Sequence, residues 1–141
     1  MTIRNLIVSI AGLALAAAAT FAHAGVVVVV SAKSEVKSLT QTQVSQLFLN
    51  KAVAFPGGGA ATPVDQPEGP ARAEFYTKVT GKDAAQLKAY WAQLTFTGKA
   101  QRPKQLGSGA DVRKFVAGSP SAIGYLDAAD IDDSVHVVFK P

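Results

Sequence analysis

A chain of 141 residues, 48% of them apolar, is long enough to bury one sizeable core and too short for several. Its formal net charge of +4 is mild and scattered, densest at Lys99, Arg102 and Lys104, without the aromatic interleaving or the motif that nucleic-acid binding requires. The absence of cysteine excludes disulfides and thiol chemistry, and suits an exported protein whose core needs no staples.

Residues 1–24 have the three parts of a secretory signal. Arg4 supplies the positive start, residues 6–19 the apolar run, and Ala22-His23-Ala24 a small-x-small cleavage site. Cleavage there predicts a periplasmic protein beginning at Gly25, and no cysteine follows the apolar run to carry a lipid. Five consecutive valines, residues 26–30, then predict a central strand apolar on both faces, as in a sheet with helices on each side. The polar loop Ser31-Ala32-Lys33-Ser34 follows at its carboxyl end, so Ser31, Lys33 and Ser34 are candidate ligand contacts.

Thr40-Gln41-Thr42-Gln43 has the form of a capping box, and Val44, Leu47 and Phe48 behind it make one apolar helix face. Asn50 ends that helix, and Phe55-Pro56-Gly57-Gly58-Gly59 is a loop. Residues 61–64 predict a second strand, which Pro63 makes late-starting or places near an edge.

The next stretch, Val64-Asp65-Gln66-Pro67-Glu68-Gly69-Pro70-Ala71-Arg72, passes from a strand end through a Pro/Gly turn into a helix. Such a turn aims unpaired helix N–H groups past the sheet edge. In α/β proteins ligands bind at the carboxyl ends of the strands. Pro70 suits the first helical turn, since it has no N–H to leave unpaired. Gln66, Glu68, Gly69 and Arg72 are therefore the main candidate binding residues, with Lys33 beside them on one exposed face.

That helix ends at Gly81. Asp83 caps the next, in which Leu87, Tyr90, Trp91 and Leu94 recur at i, i+3, i+4 and i+7. At that spacing Tyr90 and Trp91 belong to the core rather than to a stacking platform for a ligand. Residues 95–105 read as loop. Gly107-Ser108-Gly109 opens a short helix that buries Val112, Phe115 and Val116 and stops at Gly118 and Pro120. Residues 123–126 and 135–139 are the last strands. The order β-α-β-α-α-α-β-β makes this an α/β domain with a mixed β-sheet flanked by helices.

Little in this order points to catalysis. His136, the one histidine after the predicted cleavage site, lies in an alternating strand, opposite its valine neighbours and facing solvent. One histidine and no cysteine leave too few zinc ligands, and no cofactor is implied. Asp127, Asp130, Asp132 and Asp133 lack the central glycine and terminal glutamate of a calcium loop, and helix capping accounts for them. Gly107-Ser108-Gly109 has no Gly-Lys-Ser/Thr ending, so it is an anion-nest candidate and not a phosphate loop.

Three stretches together resemble one family, the substrate-binding proteins of phosphate ABC transporters. Residues 40–51 are similar to its "sxxql…iflGk" helix, and residues 64–75 lie where its phosphate loop precedes a helix. Ser121-Ala122-Ile123-Gly124-Tyr125 is similar to its "pGAIGY" strand. The resemblance covers residues 36–131 and implies a single lobe of a type II periplasmic-binding-protein-like fold, where full-length members close two lobes on the ligand. The family's loop reads Arg-x-Asp-Gly-Ser-Gly-Thr and holds phosphate through its arginine, serine and threonine. Here Gln66 stands for the arginine, Glu68 and Gly69 carry over by type, and Pro70-Ala71 replace the hydroxyl-bearing segment. Arg72 offers a replacement cation. The expectation is a non-enzymatic periplasmic lobe that binds phosphate or a related oxyanion weakly, alongside a membrane transporter. The alternative is a degenerate lobe serving as an interaction or sensory module for a periplasmic partner.

Overall fold

The computed structural model describes residues 25–141, so the predicted leader lies outside the described residues. Strand β1 (Val26–Ser31) is buried at every position. Its neighbours explain why. β4 (Ala122–Asp127) pairs with it on one side and β5 (Val135–Phe139) on the other, both antiparallel. The remaining strands, β2 (Thr62–Asp65) and β3 (Lys104–Gln105), join beyond β4 in parallel, giving the order β3-β2-β4-β1-β5. The sheet is therefore mixed, as its element order predicts. Pro63 is accommodated because β3 pairs with β2 only from Val64 onward, after the residue that has no N–H to offer.

Strand alternation divides the valine run between two cores. Val26, Val28 and Val30 join Ile123 and Tyr125 beneath α1 (Gln41–Phe48), α2 (Pro70–Thr80) and α3 (Ala84–Phe96). Val27 and Val29 join Val64, Ala122 and Leu126 beneath α4 (Gly109–Ala117). Helices thus cover both faces, which is why an uninterrupted apolar strand is stable here.

Local signals set the helix ends. Thr40 with Gln43 closes a capping box on α1, and Asp83 with Gln86 closes one on α3. Asn50, at φ 57°, takes the left-handed conformation just beyond α1, and Gly81, at φ 71°, does the same after α2. Trp91 is 2% exposed and lies in the core as its spacing predicts, while Tyr90 is half-buried and donates its hydroxyl to the Leu49 carbonyl at 2.5 Å. One expectation fails: residues 95–105 are not all loop, since α3 runs on to Phe96 and Lys104–Gln105 form β3. Two polar residues carry no periodic signal, and pairing with β2 alone makes them a strand. Among the described residues no helix is long and apolar enough to cross a membrane.

On the α4 side, Gly124 of β4 is required by close approach. A Cβ there would lie 2.7 Å from Val112 Cγ1 and 3.2 Å from both Val116 Cγ2 and Val64 Cγ2. These are β-branched side chains with no free rotamer to retreat into. Gly124→Ala should therefore destabilise the protein by about 1–3 kcal/mol through overpacking. Urea melts would show it, and an unchanged midpoint would mean that α4 moves away at no cost.

Candidate functional site

Because β2, β3 and β4 are parallel, their carboxyl ends share one edge of the sheet, and α2 starts directly beyond β2. Pro70 occupies the first turn of α2 and no side chain caps the helix, so its leading N–H groups face the edge. What stands at this edge is a carboxylate. Asp65 is 4% exposed, and four donors converge on it. Its Oδ1 accepts from the Gln66 backbone N–H at 2.8 Å and from the Tyr125 hydroxyl. Its Oδ2 accepts from the Tyr76 hydroxyl at 2.8 Å and from Arg72 Nε at 3.3 Å. The Arg72 guanidinium also lies 5.0 Å over the Tyr76 ring. Burying an unanswered carboxylate costs several kcal/mol, whereas each bond to a charged group contributes about 1.5–3 kcal/mol. Four such bonds make the burial tolerable.

Burial, then the Asp65 charge and the hydrogen bond to it, push the hydroxyls of Tyr76 and Tyr125 far above the usual phenol range. Burial raises Tyr90 as well.

The sequence-predicted binding residues do not form one group. Gln66, Glu68, Gly69 and Arg72 lie together at the carboxyl edge of β2, but Ser31, Lys33 and Ser34 lie at the opposite edge. The cause is strand direction: β1 runs antiparallel to β4, so its carboxyl end lies beside the start of β4. Ser31 there donates to the Ala117 carbonyl at 3.2 Å and accepts from the Lys33 N–H, and Ser34 accepts from the Val36 N–H. Nor is Gln66 part of an exposed face. It is 8% exposed, and its side-chain amide donates to the Tyr125 carbonyl at 2.6 Å. The residues that sequence reasoning passed over as ligands of one group are Asp65, Tyr76 and Tyr125. A partial signal existed, since Arg72 and Tyr76 are four apart on one helix and share a face.

Outside the Asp65 cluster, a groove separates the starts of α2 and α3. A cavity of about 90 Å³ holds Gly69, Arg72, Tyr76 and Lys82 in its walls, and an adjoining one of about 360 Å³ adds Lys88, Trp91 and Arg102. Glu68 borders both. Four cations thus face one acid. Lys82, Lys88 and Arg102 have no ion-pair partner among the described residues. Lys82 Nζ lies 5.3 Å over the Tyr90 ring, and Arg102 Cζ lies 5.9 Å over that of Trp91.

The other candidates are structural. Ser108 caps α4 by accepting from the Asp111 N–H at 3.1 Å, and Asp111 Oδ2 lies 3.0 Å from where a Cβ on Gly107 would stand, so an acid sits beside the glycine turn. Asp127 accepts from the Ala129 N–H, and Asp132 from the Ser134 N–H and hydroxyl, which hold its carboxyl below the usual range. Among the described residues no group of three His, Cys, Asp or Glu is placed to hold a metal. His136 is exposed, as its alternation predicts, with Nε2 3.0 Å from the Lys37 carbonyl.

No family model matches the chain, and no curated protein matches it. Among solved structures it is similar to a Clostridium perfringens protein assigned as a phosphate ABC transporter substrate-binding protein and solved with bound phosphate. Identity is 23% and the TM-score 0.64, over 81% of this chain and 44% of that one. It is also similar to an ABC-type phosphate transport receptor from Vibrio cholerae, at 14% identity and a TM-score of 0.59, over 81% and 45%. A third is PstS from Borrelia burgdorferi, at 8% and 0.54, over 81% and 46%. The chain spans less than half the length of each. At these identities the likeness is one of fold: the mixed sheet with helices on both faces matches part of each of those proteins.

The tyrosine environments give a direct test. A hydroxyl whose folded pKa lies above its unfolded value of about 10 stabilises the fold below that pH, and the contribution is lost as pH rises beyond it. Tyr76 and Tyr125 are raised furthest, so an ultraviolet titration should show no tyrosinate from either near pH 10 while circular dichroism reports folded protein. Their tyrosinates should appear together with unfolding at higher pH. Two or more equivalents ionising near pH 10 in folded protein would contradict the Asp65 cluster, since Tyr90 stands outside it.

Proposed function

We propose that the chain is an exported, non-enzymatic solute-binding lobe of the periplasm. It takes a small oxyanion of the phosphate class, weakly, and works beside a membrane transporter or a periplasmic sensor. The observation that carries this reading is the groove at the starts of α2 and α3, where Lys82, Lys88 and Arg102 stand against Glu68, beside an Arg72 paired with Asp65. Uncapped helix N–H groups on one wall add a favourable field for an anion. Support from the fold is general: the similar structures are named as phosphate-binding or phosphate-transport proteins.

Weakness follows from what the groove lacks. The loop brings no serine or threonine hydroxyl, Gln66 is turned inward, and Arg72 is already bonded to Asp65. An anion there gains a few charge-assisted bonds of about 1.5–3 kcal/mol each, at the lower end because the groove is open to water. Immobilising it costs at least about 4 kcal/mol. The net is therefore no stronger than about −4 kcal/mol, a millimolar dissociation constant or weaker.

A second reading has its own observation. The side-chain donors nearest the sheet edge, Arg72, Tyr76 and Tyr125, are engaged by Asp65, which favours a lobe that has become an interaction or sensory module. Isothermal titration of the purified protein with phosphate, sulfate and acetate separates the two. The oxyanion reading expects millimolar phosphate binding that Lys82→Ala, Lys88→Ala and Arg102→Ala each weaken several-fold. No binding at tens of millimolar supports the interaction module, and a micromolar constant would overturn the weak site.

A further inference from the structure

Asp65 is surrounded as a bound oxyanion would be. Two donors meet each of its oxygens: the Gln66 N–H and Tyr125 hydroxyl at Oδ1, the Tyr76 hydroxyl and Arg72 Nε at Oδ2. Gln66 follows Asp65 in the chain, but the other three come from β4 and α2, so the ring is assembled by the fold. A planar anion held by hydroxyls, a backbone amide and a guanidinium is the arrangement by which proteins recognise carboxylates and related oxyanions. We propose that this cluster is an oxyanion cradle occupied by the protein's own carboxylate, and that Asp65 is the residue that limits how tightly an external oxyanion is held.

The inference rests on the oxyanion reading above and assigns its weak point to one residue. Arg72 and Tyr76 belong to both places: they bond Asp65, and they line the cavity of about 90 Å³ beside the start of α2. An anion entering that cavity meets two donors already engaged and a carboxylate of like charge behind them. Freeing them needs Asp65 to be neutral or gone. Shortening Asp65 to the Cβ leaves a space of carboxylate size still ringed by all four donors, which suits formate or acetate better than a bulkier tetrahedral ion. Neutralising it in place leaves the space filled but releases Arg72 and Tyr76 toward the cavity, where a tetrahedral ion fits.

Two variants make the test. Asp65→Ala, melted in matched concentrations of formate, acetate and chloride, should lose stability in chloride and recover it saturably in formate or acetate. The native protein should gain no more from those ions than from chloride. Asp65→Asn, checked as folded by circular dichroism, should bind phosphate in calorimetry at least tenfold more tightly than the native protein. If Asp65→Ala folds only in formate or acetate, the cradle is supported directly. If it folds in no salt, Asp65→Asn decides.

A folded Asp65→Asn that binds phosphate no better than native, with no formate rescue of Asp65→Ala, overturns the proposal. Native binding that the Lys82, Lys88 and Arg102 variants weaken would then leave the oxyanion reading standing by itself. Tight binding in the Asp65 variants with none in the native protein supports the proposal while removing the native oxyanion function.

Discussion

A carboxylate can be buried at the end of a strand only if its charge is answered where it stands, and the answer to Asp65 is drawn from three directions. The Gln66 amide follows it in the chain, Arg72 and Tyr76 reach it from α2, and Tyr125 reaches it from β4. Each partner ties an element. Tyr125 requires β4 beside β2, and the Arg72–Tyr76 pair sets how α2 is rotated over the sheet edge. Removing a partner from a buried ion cluster leaves uncompensated charge and costs about 3–5 kcal/mol, far more than the loss of a surface pair. The cluster therefore contributes specificity of arrangement as well as stability.

Around it the packing is divided by the sheet. On the α1–α3 face the rings of Phe75 and Tyr125 stack with centroids 4.1 Å apart, and Phe48 meets Phe75 edge-on at 4.7 Å. These aromatic contacts place the Tyr125 hydroxyl on Asp65, so the apolar core and the polar cluster are one construction. On the other face the demand is for smallness: Gly124 lets Val112 and Val116 of α4 settle against β4. Neighbouring positions of one strand thus present a large ring at Tyr125 to one layer of helices and no side chain at Gly124 to the other.

The same edge has two electrostatic zones. Inside, Asp65 and Arg72 cancel one another and leave little field. Outside, Lys82, Lys88 and Arg102 have no ion-pair partner among the described residues, and Glu68 is the acid that lines the groove. Solution screening limits the reach of those outer cations to about 8 Å at physiological ionic strength. An anion is therefore held by direct contacts or not held, and the contacts nearest the sheet are those that Asp65 occupies. That is the physical difference between this groove and a site whose donors are left unmatched for a ligand.

What the sequence determined by itself is what short-range chemistry decides. The valine run, the capping pairs Thr40–Gln43 and Asp83–Gln86, the left-handed stops at Asn50 and Gly81, the buried Trp91 and the exposed His136 each depend on neighbours within a few residues. The turn into α2 was legible as the place to look for a site for the same reason. Tertiary structure alone decided what is in it. Strand direction sends Ser31, Lys33 and Ser34 to the far edge, pairing with β2 makes a strand of Lys104–Gln105, and Tyr125 meets Asp65 across 60 positions of chain. No local pattern specifies which strand lies beside which; that choice is made by contacts between residues far apart in the chain, which exist only once the sheet has formed.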